Sequence, residues 1–413
     1  MTNDLLKLAW RNIWRNKRRT LITISAIAFA VFFAAFAISF NKGVFDAMID
    51  ASVQQYFGYA QIHGKGYWED KSIDNALLYE DILQEMPNHI ASVEDVVPRI
   101  ESFALAAEGE RSTGVLVIGI DPNKEQGLTK VADKIIEGNY LSHTSENAVL
   151  IAEGLGEKLG LQLNDTLVLI SQGFRGVNAA GKYPIIGIFS MPLPNLNKSL
   201  LYLPLETAAH FLGAEGRVTT LVLKIPNQEI VPQAIADIQK YLPLQDKYEL
   251  MDWQQLMPEL VETRLLKESG NYVFIAILYL LISFAIFGTI LMMTKERSYE
   301  FGVLTAIGMR RGKLFSVVWL ETMMVAVVGV IVGILMSMPL VYYFKINPLT
   351  IAQMGEEAAA AYEKFGLQGN LPAAFELNIF FTQALVIFLV TSILALYPLF
   401  KIMKLKPVEA MRQ

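Results

Sequence analysis

Four stretches of this chain are long and apolar enough to cross a lipid bilayer: Leu21–Phe40, Tyr272–Thr294, Leu314–Phe344 and Leu377–Phe400. Leu21–Phe40 has 20 residues and no charge, which at the helical rise covers a hydrocarbon core of roughly 30 Å. Lipid offers the backbone no hydrogen bonds, so each stretch must satisfy its own and is predicted to be a helix. The first follows Lys17, Arg18 and Arg19 and exceeds the h-region of a cleaved signal peptide, as an uncleaved signal anchor would. The third is the longest and contains Pro339, which predicts a tilt or kink.

Charge then orders these spans across the membrane. Residues 1–20, 295–313 and 401–413 carry net charges of +5, +3 and +3, whereas 41–271 and 345–376 carry −13 and −2. Positive-inside counting therefore predicts that both termini and the 295–313 loop are cytoplasmic. The expected fold is membrane α-helical, four transmembrane helices with a large mixed α+β extracytoplasmic domain inserted between helices 1 and 2. In order, the expected segments are an interfacial helix at 1–20, spans at 21–40, 272–294, 314–344 and 377–400, the domain with stalk helices at 41–271, and the 295–313 loop. An outer loop at 345–376 and a tail at 401–413 complete them. Cysteine is absent, which excludes disulfides, thiolate nucleophiles and Cys-ligated zinc.

The N-terminal segment places Leu6, Trp10, Ile13 and Trp14 on one helical face and Lys7, Arg11, Arg15 and Arg18 around the other, a pattern suited to the membrane interface. Beyond the first span, helical periodicity continues through Phe45, Met48, Ile49 and Val53, and before the second it runs through Leu256, Leu260, Val261 and Leu265. Both spans are thus expected to extend outward as stalks. Between them, VLVIGI (115–120), TLVLI (166–170), YPIIGIF (183–189), SLLYLP (199–204) and TTLVLKI (219–225) read as strands. TTLVLKI, a helix over Val231–Tyr241 and YELMDW read as one compact β-α-β piece, and 354–369 as a short helix.

Catalytic patterns are near misses. GVNAAGKY (176–183) approaches a phosphate-binding loop, but Tyr183 replaces the hydroxyl that would reach Mg²⁺ and a β run follows in place of a helix. A Gly-rich hairpin tip is the better reading. Gly154, Gly156 and Gly160 miss dinucleotide spacing and are expected to cap and pack a helix. His63, His89, His143 and His210 have no partner at i+4 and read as ordinary surface or turn residues. No catalytic constellation emerges, so a membrane-bound enzyme is the disfavoured class.

Three membrane-proximal features stand out. Glu321 lies roughly two turns into the third span, where its carboxylate must face protein or a cavity; a hydrogen bond to a neighbouring helix and a proton or substrate role are both open. Gly329 and Gly333 are spaced for close helix approach, within the chain or between chains. The loop KERSYEFGVLTAIGMRRGK interleaves Glu296, Arg297, Glu300, Arg310 and Arg311 with Phe301, Leu304 and Ile307 at helical spacing, as a helix docking into a partner's groove would, although a solvated turn is the alternative.

That loop, continuing into KLFSVVWLE, resembles the loop of FtsX-like, MacB-type (type VII) ABC transporter permeases, with its E-R-x-x-E-[IF]-G-x-L-x-A-[IL]-G pattern. AWRNIWRNKRRTLIT, IAEGLGEKLGLQLNDTLVL and the closing KIMKLKPVEAMR resemble the same family in the same order. AQIHGKGY, IIGIFSMPLPNLNKSLLYLPLETAAHFL and RVTTLVLKI are most similar to lipoprotein-releasing (Lol) permeases. The resemblance implies a bacterial inner-membrane permease dimer, homo or hetero, with two copies of a cytoplasmic ATPase docking on Glu296, Arg297, Glu300, Phe301, Gly302, Leu304, Ala306, Ile307 and Gly308. ATP and Mg²⁺ would sit on that partner, this chain binding no cofactor, and the stalks would relay motion to the periplasmic domain.

The same resemblance implies a periplasmic lipoprotein carrier hooked by the hairpin bearing Gln172, Gly173, Phe174, Arg175, Gly176 and Lys182. By position, Phe45, Met48 and Ile49 would contact acyl chains of a substrate leaving through a cavity between permeases. Membrane lipids are expected partners and nucleic acid is not. The alternatives within the family are export of small molecules or peptides, as in macrolide-exporter-like pumps, and signalling to a cell-wall hydrolase.

Overall fold

The structure, a computed structural model, describes residues 2–242, 247–351, 362, 367 and 369–404. It divides into a membrane unit (Met1–Phe45, Arg264–Leu349, Leu371–Gln413) and an inserted unit (Asp46–Thr263, Thr350–Asn370). The helix expected over 354–369 falls almost wholly outside the described residues, as does the closing proline motif of the tail.

Among the described residues, four helices are long and apolar enough to span a membrane. The first-span helix is Lys17–Ser52, the second Pro258–Glu296 and the third Arg311–Ile346, while the fourth span is Leu377–Leu394 followed by Tyr397–Met403. The third runs unbroken through Pro339. An N-terminal helix, Thr2–Arg15, precedes them. Ile13, Ile27, Val31, Ile286, Ala326, Val330 and Ile387 form one core drawing on that helix and all four spans. Leu281, Phe284, Leu335, Phe381 and Ile393 are more than half exposed, the outward apolar surface that lipid covers.

The glycine pair brings two spans into close contact. A Cβ on Gly329 would lie 2.8 Å from Ile27 Cβ, and one on Gly333 would lie 2.7 Å from the Ala28 carbonyl oxygen and Val31 Cβ. The close approach is therefore internal, to the first-span helix, where small residues let dispersion contacts replace a hydrophobic drive that lipid cannot supply. The buried Gln383 amide accepts a hydrogen bond from Tyr279, joining the second and fourth spans.

The inserted unit is built on a mixed ten-stranded sheet: β1 (Ala60–Gly64), β2 (Asp95–Glu108), β3 (Arg111–Ile120), β4 (Ile135–Gly138), β5 (Val149–Ala152), β6 (Thr166–Gln172), β7 (Asn178–Phe189), β8 (Leu200–Pro204), β9 (Thr220–Lys224) and β10 (Tyr248–Asp252). Their order is β10-β1-β9-β2-β3-β8-β5-β7-β4, with β6 pairing β2 and β7. All five strand runs read from the sequence are present. The β-α-β reading needs one correction: β9 and β10 both pair antiparallel with β1, so they are parallel to each other but separated by it. Ala60–Gly64, buried at every position, lacks the alternation that marks a half-exposed strand and gave no strand signal of its own.

The first-span helix ends in a π-helical turn, Val53–Phe57, closed by Gly58 at φ 68°. Gly160, at φ 75°, caps the helix Glu153–Leu159, the capping role expected of it.

Candidate functional site

The loop joining the second and third spans folds as the helix Ser298–Ala306. Its ending is set by Gly308 at φ 102°, where the Met309 N–H donates to the Leu304 carbonyl at 3.0 Å. That backbone suits glycine, because a Cβ penalises positive φ. Phe301 and Gly302 are buried, Leu304 is half-buried, and Ala306, Ile307 and Gly308 are exposed, with Ile307 at 80%. Phe301 packs with Met293, Leu314, Val318 and Ile402. The apolar residues expected to share one face therefore divide: Phe301 holds the helix down, and Ile307 is offered outward at its far end.

The charged residues divide in the same way. Glu296 is exposed and pairs with Arg19 at 3.1 Å. Arg297, expected to face a docking partner, points inward instead: its side chain is 9% exposed and Nη1 donates to Glu321 Oε2 at 2.5 Å. A carboxylate inside a span requires a countercharge, and Arg297 is that countercharge. The partner of Glu321 is thus a cation on the adjoining loop. A small cavity of about 30 Å³, lined by apolar Ile290, Met293 and Val325 as well as Arg19, Thr20 and Thr322, abuts Glu321.

Glu300 joins two cations. Arg297 Nε donates to its Oε2 at 3.2 Å, and Arg15 Nη2 donates to its two oxygens at 2.9 and 2.8 Å. Burial alone would raise the Glu300 carboxyl, but hydrogen bonds from Arg15 and Arg297 outweigh it and hold the group below the usual carboxylate range. The result is a continuous chain, Arg15–Glu300–Arg297–Glu321, running from the N-terminal helix through the loop helix into the third span. Sequence reasoning named all four of its members but not the connection. The signal available was the lone Glu321, which demanded a cation one or two turns away in space.

The hairpin residues lie at the turn between β6 and β7, where Gln172 pairs with Asn178. Gln172, Arg175, Gly176 and Lys182 are exposed and Phe174 is half-buried. The tip is fastened to its own domain: the Arg175 N–H donates to Asp74 Oδ1 at 2.5 Å, and the Arg217 guanidinium lies 4.5 Å from the Phe174 ring centre. Gly173 is obligatory, because a Cβ there would meet the Leu212 carbonyl oxygen at 2.4 Å. Phe45, Met48 and Ile49 are all buried, at 4%, 0% and 0% exposure. In this conformation they pack within the protein and are not available to an acyl chain, a correction to the positional expectation.

Two further buried polar groups were not foreseen. Arg99, fully buried on β2, donates to both oxygens of Glu125 at 2.9 and 2.7 Å and to the Tyr56 carbonyl of the π-helical turn at 2.7 Å. His63 is also fully buried and not the surface residue expected. Its Nδ1 lies 3.3 Å from both the Thr219 carbonyl and the Thr220 hydroxyl. Burial lowers its pKa from 6.5 to about 3. Among the described residues, no cluster of three metal-ligating side chains occurs.

Comparison with known proteins accounts for most of the chain. Residues 272–407 match the FtsX-like permease C-terminal family, and residues 20–241 match the MacB-like periplasmic core domain. The lipoprotein-releasing system transmembrane protein LolC of Xylella fastidiosa, from strains Temecula1 and 9a5c alike, is 20% identical over 328 residues, covering 78% of this chain and 78% of that protein. Among solved structures, the periplasmic region of MacB from Actinobacillus actinomycetemcomitans aligns with a TM-score of 0.36 at 16% identity, covering 51% of this chain and 95% of that one. The extracellular domain of the noncanonic ABC-type transporter YknZ from Gram-positive bacteria aligns with a TM-score of 0.32 at 16% identity, covering 43% and 90%.

Proposed function

The chain belongs to the FtsX-like ABC transporter permeases that carry a MacB-like periplasmic core domain, and from this premise we propose that it couples a separate cytoplasmic ATPase to movement of its periplasmic domain in order to release lipoproteins from the inner membrane. The observation that carries the coupling reading is the divided loop helix. Phe301 and Arg297 fix one side into the membrane unit, while Ala306 and Ile307 leave an apolar knob exposed at its end. An apolar residue at 80% exposure on a polar loop is what a groove in a partner would bury.

In this reading the loop and both termini are cytoplasmic, ATP and Mg²⁺ are bound by the partner ATPase, and two permeases with two ATPase copies make the working assembly. Lipoprotein as substrate is supported by the likeness to LolC over 78% of the chain. Carrier capture by the hairpin is supported by its exposed Gln172, Arg175 and Lys182. A fastened tip would present these three side chains without the ordering cost a free loop must meet.

The test is to purify the chain with its native partners and lipids and identify what co-elutes. The expected companions are an ABC ATPase and a lipid-modified protein. Recovery of the ATPase together with an outer-membrane channel and adaptor, and no lipoprotein, would refute the substrate assignment.

A further inference from the structure

The ionic chain in the membrane unit is graded in burial, and the gradient has mechanical meaning. Its inner member, Arg297–Glu321, has side chains 9% and 3% exposed. Its outer member, Arg15–Glu300, is open at 54% and 43%, and the adjacent pair Arg19–Glu296 is partly open at 14% and 44%. Exposed pairs contribute little and exchange readily with water, whereas separating a buried pair leaves an uncompensated charge and is strongly unfavourable. A load on the loop helix would therefore open the outer pairs long before the inner one.

We propose that the N-terminal helix is a working part of the coupling device, with Arg297–Glu321 as the pivot of the loop helix, Arg15–Glu300 as a releasable latch that seats it, and Arg19–Glu296, between the first- and second-span helices, as a clasp beside it. Arg15, Arg19, Arg297 and Glu321 are thus positioning residues acting through the docking helix. This inference rests on the reading of the loop as the ATPase docking site.

The geometry gives the device a lever. From Arg297 to Ile307 the loop helix covers ten residues, roughly 15 Å at the helical rise, with the pivot at one end and the exposed docking residue at the other. Glu300 sits one turn from the pivot and is shared by Arg297 and Arg15, so tilting the helix about Arg297 changes the Arg15 contact first.

The N-terminal helix is held in a way that lets it respond. Ala9 and Ile13 are buried, Ile13 within the core shared by the spans, while Trp10 and Trp14 are 48% and 42% exposed. Such a helix, apolar on the lipid side and seated in the core at Ile13, can pivot in the interface about that anchor. Thr20 Oγ1 donates to the Ile13 carbonyl at 2.6 Å, tying its end to the first-span helix. Movement of the latch would thus reach the helix that continues to Ser52.

The absence of cysteine makes a clean test possible. In the full complex with its ATPase, Arg15→Cys and Glu300→Cys are joined by a short reducible bis-maleimide, and ATP turnover is measured before linking, after linking and after cleavage of the linker. The proposal expects the ATPase to remain bound, turnover to fall more than threefold on linking, and the rate to return on cleavage. A purely structural role for these pairs would leave the linked protein as active as the unlinked one, so a complete link that changes turnover less than threefold overturns the proposal. If the Arg15→Cys/Glu300→Cys variant does not accumulate, Arg19→Cys with Glu296→Cys tests the neighbouring clasp, between the ends of the first- and second-span helices, by the same threefold criterion. Ile307→Asp separates the two levels: wild-type recovery of the ATPase with that variant would reject the docking reading itself, whatever the latch does.

Discussion

The buried Arg99–Glu125 pair gives the sharpest physical prediction, because it fastens the sheet of the periplasmic domain to the π-helical turn at the end of the first-span helix. Replacing Glu125 by Gln keeps the shape of the side chain but strands the Arg99 guanidinium, which has no exposed surface. Removing one partner of such a pair costs about 3–5 kcal/mol. Glu101 stands 4.0 Å from Arg99 and takes up part of the charge, so the lower end, about 3 kcal/mol, is expected. At 1.4 kcal/mol per decade that raises local opening roughly 100-fold. Hydrogen exchange on the full chain in lipid nanodiscs reads this directly as faster exchange at Val53–Phe57 and along β2. Arg99→Met with Glu125→Leu removes both charges but leaves the Tyr56 carbonyl unmet and the buried Glu101 without its neighbouring cation, so it should recover part of the lost protection and not all of it. Exchange within threefold of the parent for Glu125→Gln, or a double variant no better protected than the single, would refute the reasoning.

Three further outcomes follow from close contacts and burial. Gly333→Val drives a Cβ to 2.7 Å from the Ala28 carbonyl oxygen and Val31 Cβ, so it should lower the yield of monodisperse protein in detergent severalfold, whereas Gly288→Ala, with no atom within 4 Å, should not. Gly173→Ala collides with the Leu212 carbonyl oxygen at 2.4 Å and should free the hairpin tip, seen as faster proteolysis between β6 and β7 with the rest of the domain intact. His63 is neutral when folded, with its pKa lowered by burial from 6.5 to about 3. The unfolded chain therefore binds the extra proton, and this contribution is complete above pH 6.5 and is lost as pH falls towards 3. Between pH 7.5 and 5.5 the periplasmic domain should lose about 1.4 kcal/mol of protection in hydrogen exchange, and His63→Gln should flatten that slope.

Much of the periplasmic sheet could be read in advance because its strands β3, β6, β7, β8 and β9 are rich in Val, Ile, Leu and Tyr and bounded by turn residues. β2 escaped notice: Pro98, Arg99 and Glu101 interrupt its apolar run, and only the fold shows that Glu125 compensates the arginine. His63 was misread for a related reason. A histidine's burial depends on what the remainder of the sheet packs against it, here Tyr67, Trp68 and Thr219, none of which announces the contact in the linear order.

The loop of residues 295–313 shows the same division. Its helix, its glycine ending and its place between two spans follow from local periodicity and charge. Which side faces the membrane unit does not, because Glu296, Arg297 and Glu300 are equivalent as charged letters and differ only in the partners that folding brings to them: Arg19, Glu321 and Arg15. Hydrophobicity acts along the chain and is legible there, so the sequence by itself determined four spans, an inserted mixed α/β domain and a family-like loop. Countercharges meet across distances of up to 285 residues, and only the tertiary structure decided that Arg297 turns inward to neutralise Glu321 while Ile307 remains exposed.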